Sequence, residues 1–548
     1  MDIRVTFLGG IGEIGKNMTL FEFDDEVILL DAGFRFPDAE MLGIDKLIPD
    51  FSYLLRVKNK LKGIILSHGH ADHIGAMKYL LDKVEGIPVY TTPLTFGILK
   101  ADLPTYLSKK IKFMEVKLPS KHKIGSFEVN FIRVTHSIPD GFSTVFRTPY
   151  GVIVHSGDFK IDQTPIDNKP IDLQSLAEVG KNGVLLYLGD STNADEDGFT
   201  GSERIVGGTL ENLIRGASGR VFIATFSTNL HRVMQALTIA KKLERRVLID
   251  GKSIIEVLNV ASKQGYEGIP ENLTINYNTL QKFKDNEVLI LTTGTQGEPF
   301  SGLTKLANES HEMLKIKKGD LVIISADPIP GNEGLVSKVI DGLFKLGAEV
   351  IYGGGNVHVS GHGAKEDLRT MFSLLKPKFF IPVHGEYRQM YSHVKIATET
   401  NVEPKNALIV ENGSVVSVTN SRIKVVERVP AEPTMIDGKI VGDVEFSVVY
   451  DRRRLSKEGV VSAVYLIGRQ SRKLIIDPII ETKGFISNKF SGKVLTAIKA
   501  DSKAVIEEWA KNGENRKELE LRLRKFLQGK ILDSTHRNPI IFVTVLEG

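Results

Sequence analysis

The sequence predicts an α/β protein of about three compact units, and three observations carry that reading. At 548 residues the chain is too long for a single hydrophobic core. Short apolar runs recur up to Gly201, each closing in polar or glycine-containing loop chemistry, as a layered α/β domain requires. From there to Tyr352 apolar runs alternate regularly with helical stretches, and after Val429 the texture changes again. Composition agrees, since 42% hydrophobic and 25% charged residues describe an ordinary globular chain. The absence of cysteine excludes disulfides, thiol catalysis and thiolate-bound zinc, so any metal must rest on histidine and carboxylate. The N-terminus (MDIRVTFLGG) lacks a signal peptide's basic start and apolar core, and no apolar stretch approaches ~18 residues. The expectation is a cytoplasmic, non-membrane protein. A net charge of +4 is too small to argue for nucleic acid by itself.

Residues 3–17 (IRVTFLGGIGEIGKN) run from a strand into Gly10-x-Gly12-x-x-Gly15, the dinucleotide-binding spacing. That motif needs a helix next, whereas Met18–Phe23 and residues 27–30 read as strands on either side of a charged turn at 24–26. The overlapping Gly10-x₄-Gly15-Lys16 approaches a phosphate-binding loop but fails at Asn17, where Ser or Thr would hold Mg²⁺. These glycines are therefore expected to form a tight turn that lets backbone approach the metal site described next.

The densest chemistry lies in LSHGHADHIG (66–75), where His68, His70, Asp72 and His73 fall within six residues. Upstream, LKGIIL (61–66) reads as a buried strand ending at Ser67, and residues 74–84 downstream show apolar residues near helical spacing. His68 and His70, two apart in extended chain, point to the same side. Asp72 and His73 turn in from the strand-to-helix junction. Imidazole with carboxylate favours a borderline divalent ion, Zn²⁺ or Mn²⁺, over Ca²⁺. Four ligands are too many for one catalytic ion that keeps an open position, so two adjacent ions are expected. Such a pair lowers the pKa of water enough to give a nucleophile at neutral pH.

HGHADHIG closely resembles the HxHxDH signature of the metallo-β-lactamase fold. The resemblance implies an αββα sandwich that gathers ligands at strand ends. Its other positions follow apolar runs in the right order: Asp31 in VILLDAGF, His136 in VTHSIPD, Asp158 in VHSGDFK and His384 in IPVHGE. By the family pattern His68, His70 and His136 hold one ion, Asp72, His73 and His384 hold the other, and Asp158 bridges. Asp31 is implied to orient ligands rather than bind metal. His122 and His155 match no ligand position and read as surface or structural.

Between 201 and 352, the runs RVFIATF, RRVLID, EVLILTTG, DLVIISA and EVIYGG alternate with helical stretches such as NLHRVMQALTIAKKL. That is the layout of a parallel sheet with crossover helices. Because His384 lies beyond this block, residues 202–352 read as a domain inserted into a first domain made of 1–201 and 353–429. Such an insertion resembles the β-CASP family. The resemblance implies that His362, in HVSGHGAKEDL, protonates the leaving oxygen, oriented by Asp190 in LGDSTN. Ser360 and Gly361, flanked by His358 and His362 ahead of a helix at 364–375, offer a hydroxyl and backbone N–H groups to a phosphate. The loops TFSTNLHR (225–232), TGTQGEP (293–299) and SADPIPGNE (325–333) are candidate walls of an RNA channel, with Ser227 singled out for phosphate contact. As a plain connection, the first would instead use Ser227 or Thr228 to cap the following helix.

PAEPTMIDGK, at 430–439, reads as a linker that extends to 446. Residues 447–548 carry 20 Lys and Arg against 12 Asp and Glu, a surplus of eight positive charges. Strands are expected at VVSAVYLIG, KLIIDPII and PIIFVTVLE, and helices at 503–510 and 514–527. This small basic α+β domain suits RNA phosphates or subunit contacts. Neutralising the arginines at 452–454 is expected mainly to weaken RNA binding.

With a two-domain core, a linker and a basic C-terminal domain, the whole sequence resembles the ribonuclease J family. The resemblance implies a ribonuclease with two divalent ions, Zn²⁺ first and Mn²⁺ as the alternative. Its implied action is 5′-to-3′ on 5′-monophosphorylated single-stranded RNA, with endonuclease activity as well, in rRNA processing and mRNA decay. It also implies a homodimer or homotetramer through the C-terminal domain, and a place in an RNA-degradation complex. A histidine at position 384 goes with RNA-directed β-CASP members, where DNA-directed ones tend to have valine. The rival within the superfamily is a structure-specific RNA 3′-end-processing endonuclease. Thioester or lactam hydrolysis would need only the sandwich, and a non-catalytic scaffold would have lost ligands that this chain keeps.

Overall fold

The computed structural model describes residues 2–548 apart from 39, 267, 271, 299, 300, 330, 355, 487 and 514, and apart from the side chains at 488–491 and 493. Pro299 and Pro330 of the expected channel loops thus lie outside the described residues. The chain forms two compact units, one of Met1–Phe36 with Lys46–Thr434, the other of Pro37–Asp45 with Met435–Gly548.

The first unit is built on two facing sheets. One has eight strands, in the spatial order Ile423–Arg428, Ser414–Val418, Ile3–Gly9, Met18–Phe23, Glu26–Leu30, Leu61–Ile65, Pro88–Thr91 and Lys112–Glu115. The other has six, in the order Pro377–Val383, Val184–Asp190, Gly151–His155, Phe142–Thr148, Phe127–Arg133 and Ser120–Ile124. Phe7, Phe21, Phe127, Phe146 and Leu186 fill the layer between them. The rings of Phe21 and Phe146 stack across the sheets with centroids 4.1 Å apart. Val184–Asp190 is buried along its whole length because Leu176, Met371 and Phe372 cover its other face, which is why it reads as a continuous apolar run rather than an alternating one.

Parallel pairing sets where the polar residues emerge. Gly151–His155, Val184–Asp190 and Pro377–Val383 are parallel neighbours, with His155 opposite Leu188 and Asp190 opposite Val383. Asp158, Asp190 and His384 therefore leave this sheet at the same edge. Glu26–Leu30 and Leu61–Ile65 are likewise parallel, Leu30 opposite Ile65, and they deliver Asp31 and His68. The helix expected over 74–84 starts earlier, at Ala71, and is split into Ala71–Ile74 and Met77–Leu80. At the break the Ala76 N–H donates to the Ala32 carbonyl at 2.8 Å, and the Asp72 carbonyl accepts from the Asn17 N–H at 3.0 Å, so the helical ladder is interrupted.

The inserted domain is a six-stranded sheet in the order Thr274–Ile275, Arg246–Asp250, Val288–Thr292, Val221–Ala224, Leu321–Ile324 and Glu349–Ile351. All its pairings are parallel, as expected. Leu230–Lys242 and Lys252–Lys263 cover one face, Gly302–Ala307 and Glu333–Lys345 the other. The cap of Leu230–Lys242 is neither Ser227 nor Thr228 but Asn229, whose side chain accepts from the Arg232 N–H at 3.2 Å.

In the second unit Val460–Ile467 pairs with Ile479–Lys483 antiparallel and with Ile540–Glu547 parallel. The strand expected from residue 473 begins only at Ile479, after Pro478, which has no N–H to give a ladder. The helices are longer than expected, Asn488–Asn512 and Arg516–Thr535. Leu519, Leu523, Leu527 and Ile531 recur every fourth residue and carry the second one into the core. The stretch expected as a linker is packed instead. Thr434–Asp437 pairs with Ile440–Val441, and Met435 and Ile436 are buried.

The arginines at 452–454, expected to meet RNA, are engaged inside this unit. Arg452 bonds Asp437 at 2.7 Å and the Leu42 carbonyl at 3.2 Å, Arg453 pairs with Glu40, and Arg454 donates to the Asn538 carbonyl at 3.2 Å. Their charge is spent on holding the loop Pro37–Asp45 and the turn before the last strand.

Candidate metal centre

The ligand atoms of His68, His70, His136 and Asp158 lie within 4.8 Å of one another. Nε2 of His68 and Nε2 of His136 stand 3.1 and 3.0 Å from Nδ1 of His70. His136 donates its Nδ1–H to the Gly361 carbonyl at 2.7 Å, so its Nε2 carries the lone pair. Burial holds His68 and His136 well below the ordinary imidazole range and pushes His70 down to about 4. Neutral rings whose lone pairs converge repel one another, and a cation relieves that repulsion.

Asp72, His73, Asp158 and His384 form a second group within the same 4.8 Å limit. Nε2 of His73 is 3.1 Å from Asp158 Oδ2 and 3.5 Å from Asp72 Oδ2. His384 sets Nε2 3.2 Å from Asp72 Oδ2 and Nδ1 3.3 Å from Asp158 Oδ1. Here carboxylates dominate. Burial pulls both imidazoles down, but Asp158 and Asp72 hold His73 well above its usual range, and with Asp190 they keep His384 at about 10. Burial opposes ionisation of Asp72 and Asp158 in turn, yet the facing histidines hold both below the carboxylate range. Asp158 belongs to both groups, so one carboxylate can serve two ions. The donor set of imidazole and carboxylate oxygen, without sulfur, fits divalent ions such as Zn²⁺ or Mn²⁺.

Asp31 stands behind this cluster. Its carboxylate accepts from the Ser67 N–H, the Ser67 hydroxyl and His73 Nδ1, each at 2.8 Å. It thereby holds the His73 ring with Nε2 toward Asp158. Asp31 and His384 both have positive φ, 60° and 52°, a region that non-glycine residues rarely adopt. Backbone bonds from Asp31 N to Ile65 O (2.8 Å) and from His384 N to Gly10 O (2.7 Å) hold them there.

Asp190 closes the site on another side. Its Oδ2 meets His362 Nδ1 at 2.7 Å, and its Oδ1 accepts from Thr192 N–H and hydroxyl at 3.1 and 2.9 Å. Burial works against a charged His362, but the Asp190 carboxylate raises its pKa above the ordinary value. Ser360 accepts from the His362 N–H at 3.2 Å. Gly361 must be glycine, since a Cβ there would lie 2.5 Å from the His136 ring. His358 places Nε2 3.5 Å from Asp327, while its Nδ1 is buried without a hydrogen-bond partner. Burial, helped by Arg232 and Lys160, pushes its pKa down to about 3, so it offers a neutral ring rather than charge. The buried Arg232 donates to the Val357 carbonyl at 3.1 Å and to Glu203 at 2.6 Å, which fixes this loop. Ser227 lies half-buried on the loop after Val221–Ala224.

Residues 11–219 match the metallo-beta-lactamase superfamily, 218–343 the ribonuclease J beta-CASP domain, 350–407 the Zn-dependent metallo-hydrolase RNA specificity domain and 447–548 the ribonuclease J C-terminal domain. The chain is 39% identical to ribonuclease J2 of Bacillus subtilis over 548 residues, covering 100% of this chain and 99% of that one. The chain belongs to the ribonuclease J family. It is 38% identical to ribonuclease J of Thermus thermophilus, over 100% of this chain and 95% of the relative. It is also 38% identical to ribonuclease J of Helicobacter pylori strain B128, over 98% and 78%. A solved structure from Enterococcus faecalis V583, described as a protein of unknown function, shares the fold with a TM-score of 0.56 and 17% identity, over 76% of this chain and 100% of that one. The protein is therefore a metal-dependent ribonuclease that acts on RNA. Among the described residues no helix is long and apolar enough to cross a membrane.

Three site residues escaped the sequence reading. Ser67 touches Asp31, His68 and His73. Thr192 joins Asp190 to His384, its hydroxyl 3.1 Å from His384 Nδ1. Asn17 sets its amide 3.0 Å from His73 Nε2. Ser67 and Thr192 lie one and two residues from motif positions, so proximity in sequence could have flagged them. Asn17 stood out only as the residue that spoils a nucleotide motif.

Proposed function

We propose that this ribonuclease degrades single-stranded RNA from the 5′ end, prefers a 5′-monophosphate and also cuts internally, in rRNA maturation and mRNA decay in the cytoplasm. One observation carries the reading: two ligand groups joined through Asp158 lie beside a His362–Asp190 pair and a glycine-bearing loop pinned to His136. When bound, two divalent ions supply Lewis acidity and lower the pKa of water. Zn²⁺ is the proposed occupant, with Mn²⁺ the alternative. Seven residues would hold them: His68, His70 and His136 on one side, Asp72, His73 and His384 on the other, and Asp158 between.

The chain's own residues do the rest. His362 donates Nδ1–H to Asp190, whose carboxylate stabilises the imidazolium, and the second proton, on Nε2, can pass to the departing 3′-oxygen. Asp190 is the positioning residue for that proton. His358, Ser360 and the backbone at Gly361 form the cradle for a neighbouring phosphate. Ser227 is a candidate for contact further along the strand. A homodimer or homotetramer through the C-terminal domain, and association with other RNA-degrading proteins, complete the proposal.

Digestion of RNA bearing either a 5′-monophosphate or a 5′-triphosphate, after chelation and metal add-back, tests it. Mononucleotides released faster from monophosphate RNA, with activity restored by Zn²⁺ or Mn²⁺, is the expected result. Internal cleavage alone, indifferent to the 5′ group, would instead favour a structure-specific 3′-end-processing endonuclease.

A further inference from the structure

The glycine-rich loop between the first two strands is not a nucleotide site, yet it converges on the metal ligands. Gly10 O receives the His384 N–H at 2.7 Å, Asn17 N–H donates to Asp72 O at 3.0 Å, and Gly33 N–H donates to Asn17 O at 3.0 Å. Lys16, just before Asn17, has φ 53° although it is not glycine, and its buried ammonium is tied to Glu13 at 2.9 Å. A Cβ on Gly10 would lie 2.4 Å from Asn17 Oδ1. That loop geometry fixes the Asn17 side chain with little freedom to turn away.

The amide it presents is unusual in its target. Asn17 Nδ2 lies 3.0 Å from Nε2 of His73 and 3.3 Å from Asp72 O. His73 Nδ1 is taken by Asp31 at 2.8 Å, so Nε2 is the nitrogen left facing Asn17. It is also the nitrogen that faces Asp158 and Asp72, hence the one a divalent ion would use. With an ion on Nε2, one Asn17 N–H stays on the Asp72 carbonyl at 3.3 Å, while the other finds no acceptor on His73 and is still aimed at the reaction centre. We propose that Asn17 is a catalytic residue whose amide hydrogen-bonds a non-bridging oxygen of the scissile phosphate, and that Gly10, Lys16 and Gly33 serve to hold it there. This rests on the proposed hydrolysis of RNA at the same centre.

The test compares wild type with Asn17→Ala and Asn17→Asp on RNA carrying a single Rp or Sp phosphorothioate, alongside chelator-competition titration of Zn²⁺ and thermal melting. Losing a donor that acts in the transition state lowers kcat by about 10²–10³-fold. Asn17→Ala should show such a loss with metal affinity within twofold of wild type and an unchanged melting temperature. One phosphorothioate diastereomer, but not the other, should lose its rate penalty in that variant. Asn17→Asp should be as slow or slower, because a carboxylate faces the phosphate. A fall in zinc affinity parallel to the fall in kcat, or equal thio effects in wild type and variant, would overturn the assignment and leave Asn17 a structural support. Wild-type protein that fails to cleave RNA would refute the underlying reading and not the role of Asn17 within it.

Discussion

The two ligand groups are built from similar residues and behave oppositely toward protons. The group of His68, His70 and His136 has three imidazoles to one shared carboxylate, and burial keeps its rings neutral. The group of Asp72, His73 and His384 has two carboxylates to two imidazoles, and both rings are held protonated when no ion is present. The first is ready for a cation, while the second already contains its own counter-charge. A pair of sites sharing Asp158 is thus asymmetric before any ion arrives, and the asymmetry comes from carboxylate count rather than from distance.

The largest effect expected is from the residue common to both groups. Asp158→Ala should reduce hydrolysis by at least about 10³-fold and lower the bound metal below one ion per chain by elemental analysis. His136→Ala should spare the second group and leave one ion, whereas His73→Ala should abolish hydrolysis with the fold intact by circular dichroism. Equal metal loss in all three variants would dissolve the distinction between the groups.

Next in size is the proton held by His362. Asp190→Asn should cost about 10²–10⁴-fold in kcat, the range of a general acid. The raised His362 pKa depends on Asp190 against the pull of burial, so removing that charge lowers it. The alkaline limb of the pH–rate profile should therefore move to lower pH in the variant. An unmoved limb would mean that His362 does not supply the proton.

The metal groups themselves should separate with pH. An ion entering the second group must displace protons from His73 and His384, the latter held to about 10. Its affinity should fall about tenfold per pH unit for each proton displaced between pH 8 and 6. The first group should scarcely change over that interval, because His70 takes a proton only near about 4. Calorimetry in buffers of different ionisation enthalpy would read the proton release directly. Stability of the metal-free chain has the matching sign. The raised pKa values of His73 and His384 stabilise the fold fully below the ordinary value of 6.5, and that contribution fades as pH rises toward 10. His393 is opposite. Burial pushes it to about 3, so its neutral form favours the fold, and that support is lost as pH falls below 6.5.

How far this arrangement could be read in advance depends on where each residue's partners lie. His68, His70, Asp72 and His73 share one strand-to-helix junction, and Asp158, Asp190 and His384 each end an apolar run, so local pattern was enough to mark them. The parallel inserted sheet was legible for the same reason. Asn17 was not, because its partner His73 is 56 residues away and the contact passes through backbone bonds to Asp72 and Gly33. Nor was the allegiance of Pro37–Asp45, which joins the C-terminal unit through Asp45 N–H on the Ile436 carbonyl and Asp45 Oδ2 on Gly438 N–H, at 2.8 Å each. Prolines at 430 and 433 suggested a linker, but composition cannot show that a distant loop supplies hydrogen-bond partners.

The smallest effect sharpens the contrast between a charge that binds substrate and one that holds structure. Arg452 is about one-third exposed, bonded to Asp437 and Leu42 O, and packed so close to Gly43 that a Cβ there would lie 2.5 Å from its guanidinium. Arg452→Ala should destabilise the protein by about 0.5–1.5 kcal/mol, the worth of a partly exposed ion pair with one carbonyl bond. It should leave the slope of log Kd against log salt for RNA unchanged, because no phosphate contact is lost. A slope reduced by about one with no change in melting would return Arg452 to the RNA-binding role that its charge alone suggested. The measurement discriminates because the two roles predict opposite pairs of outcomes from a single substitution.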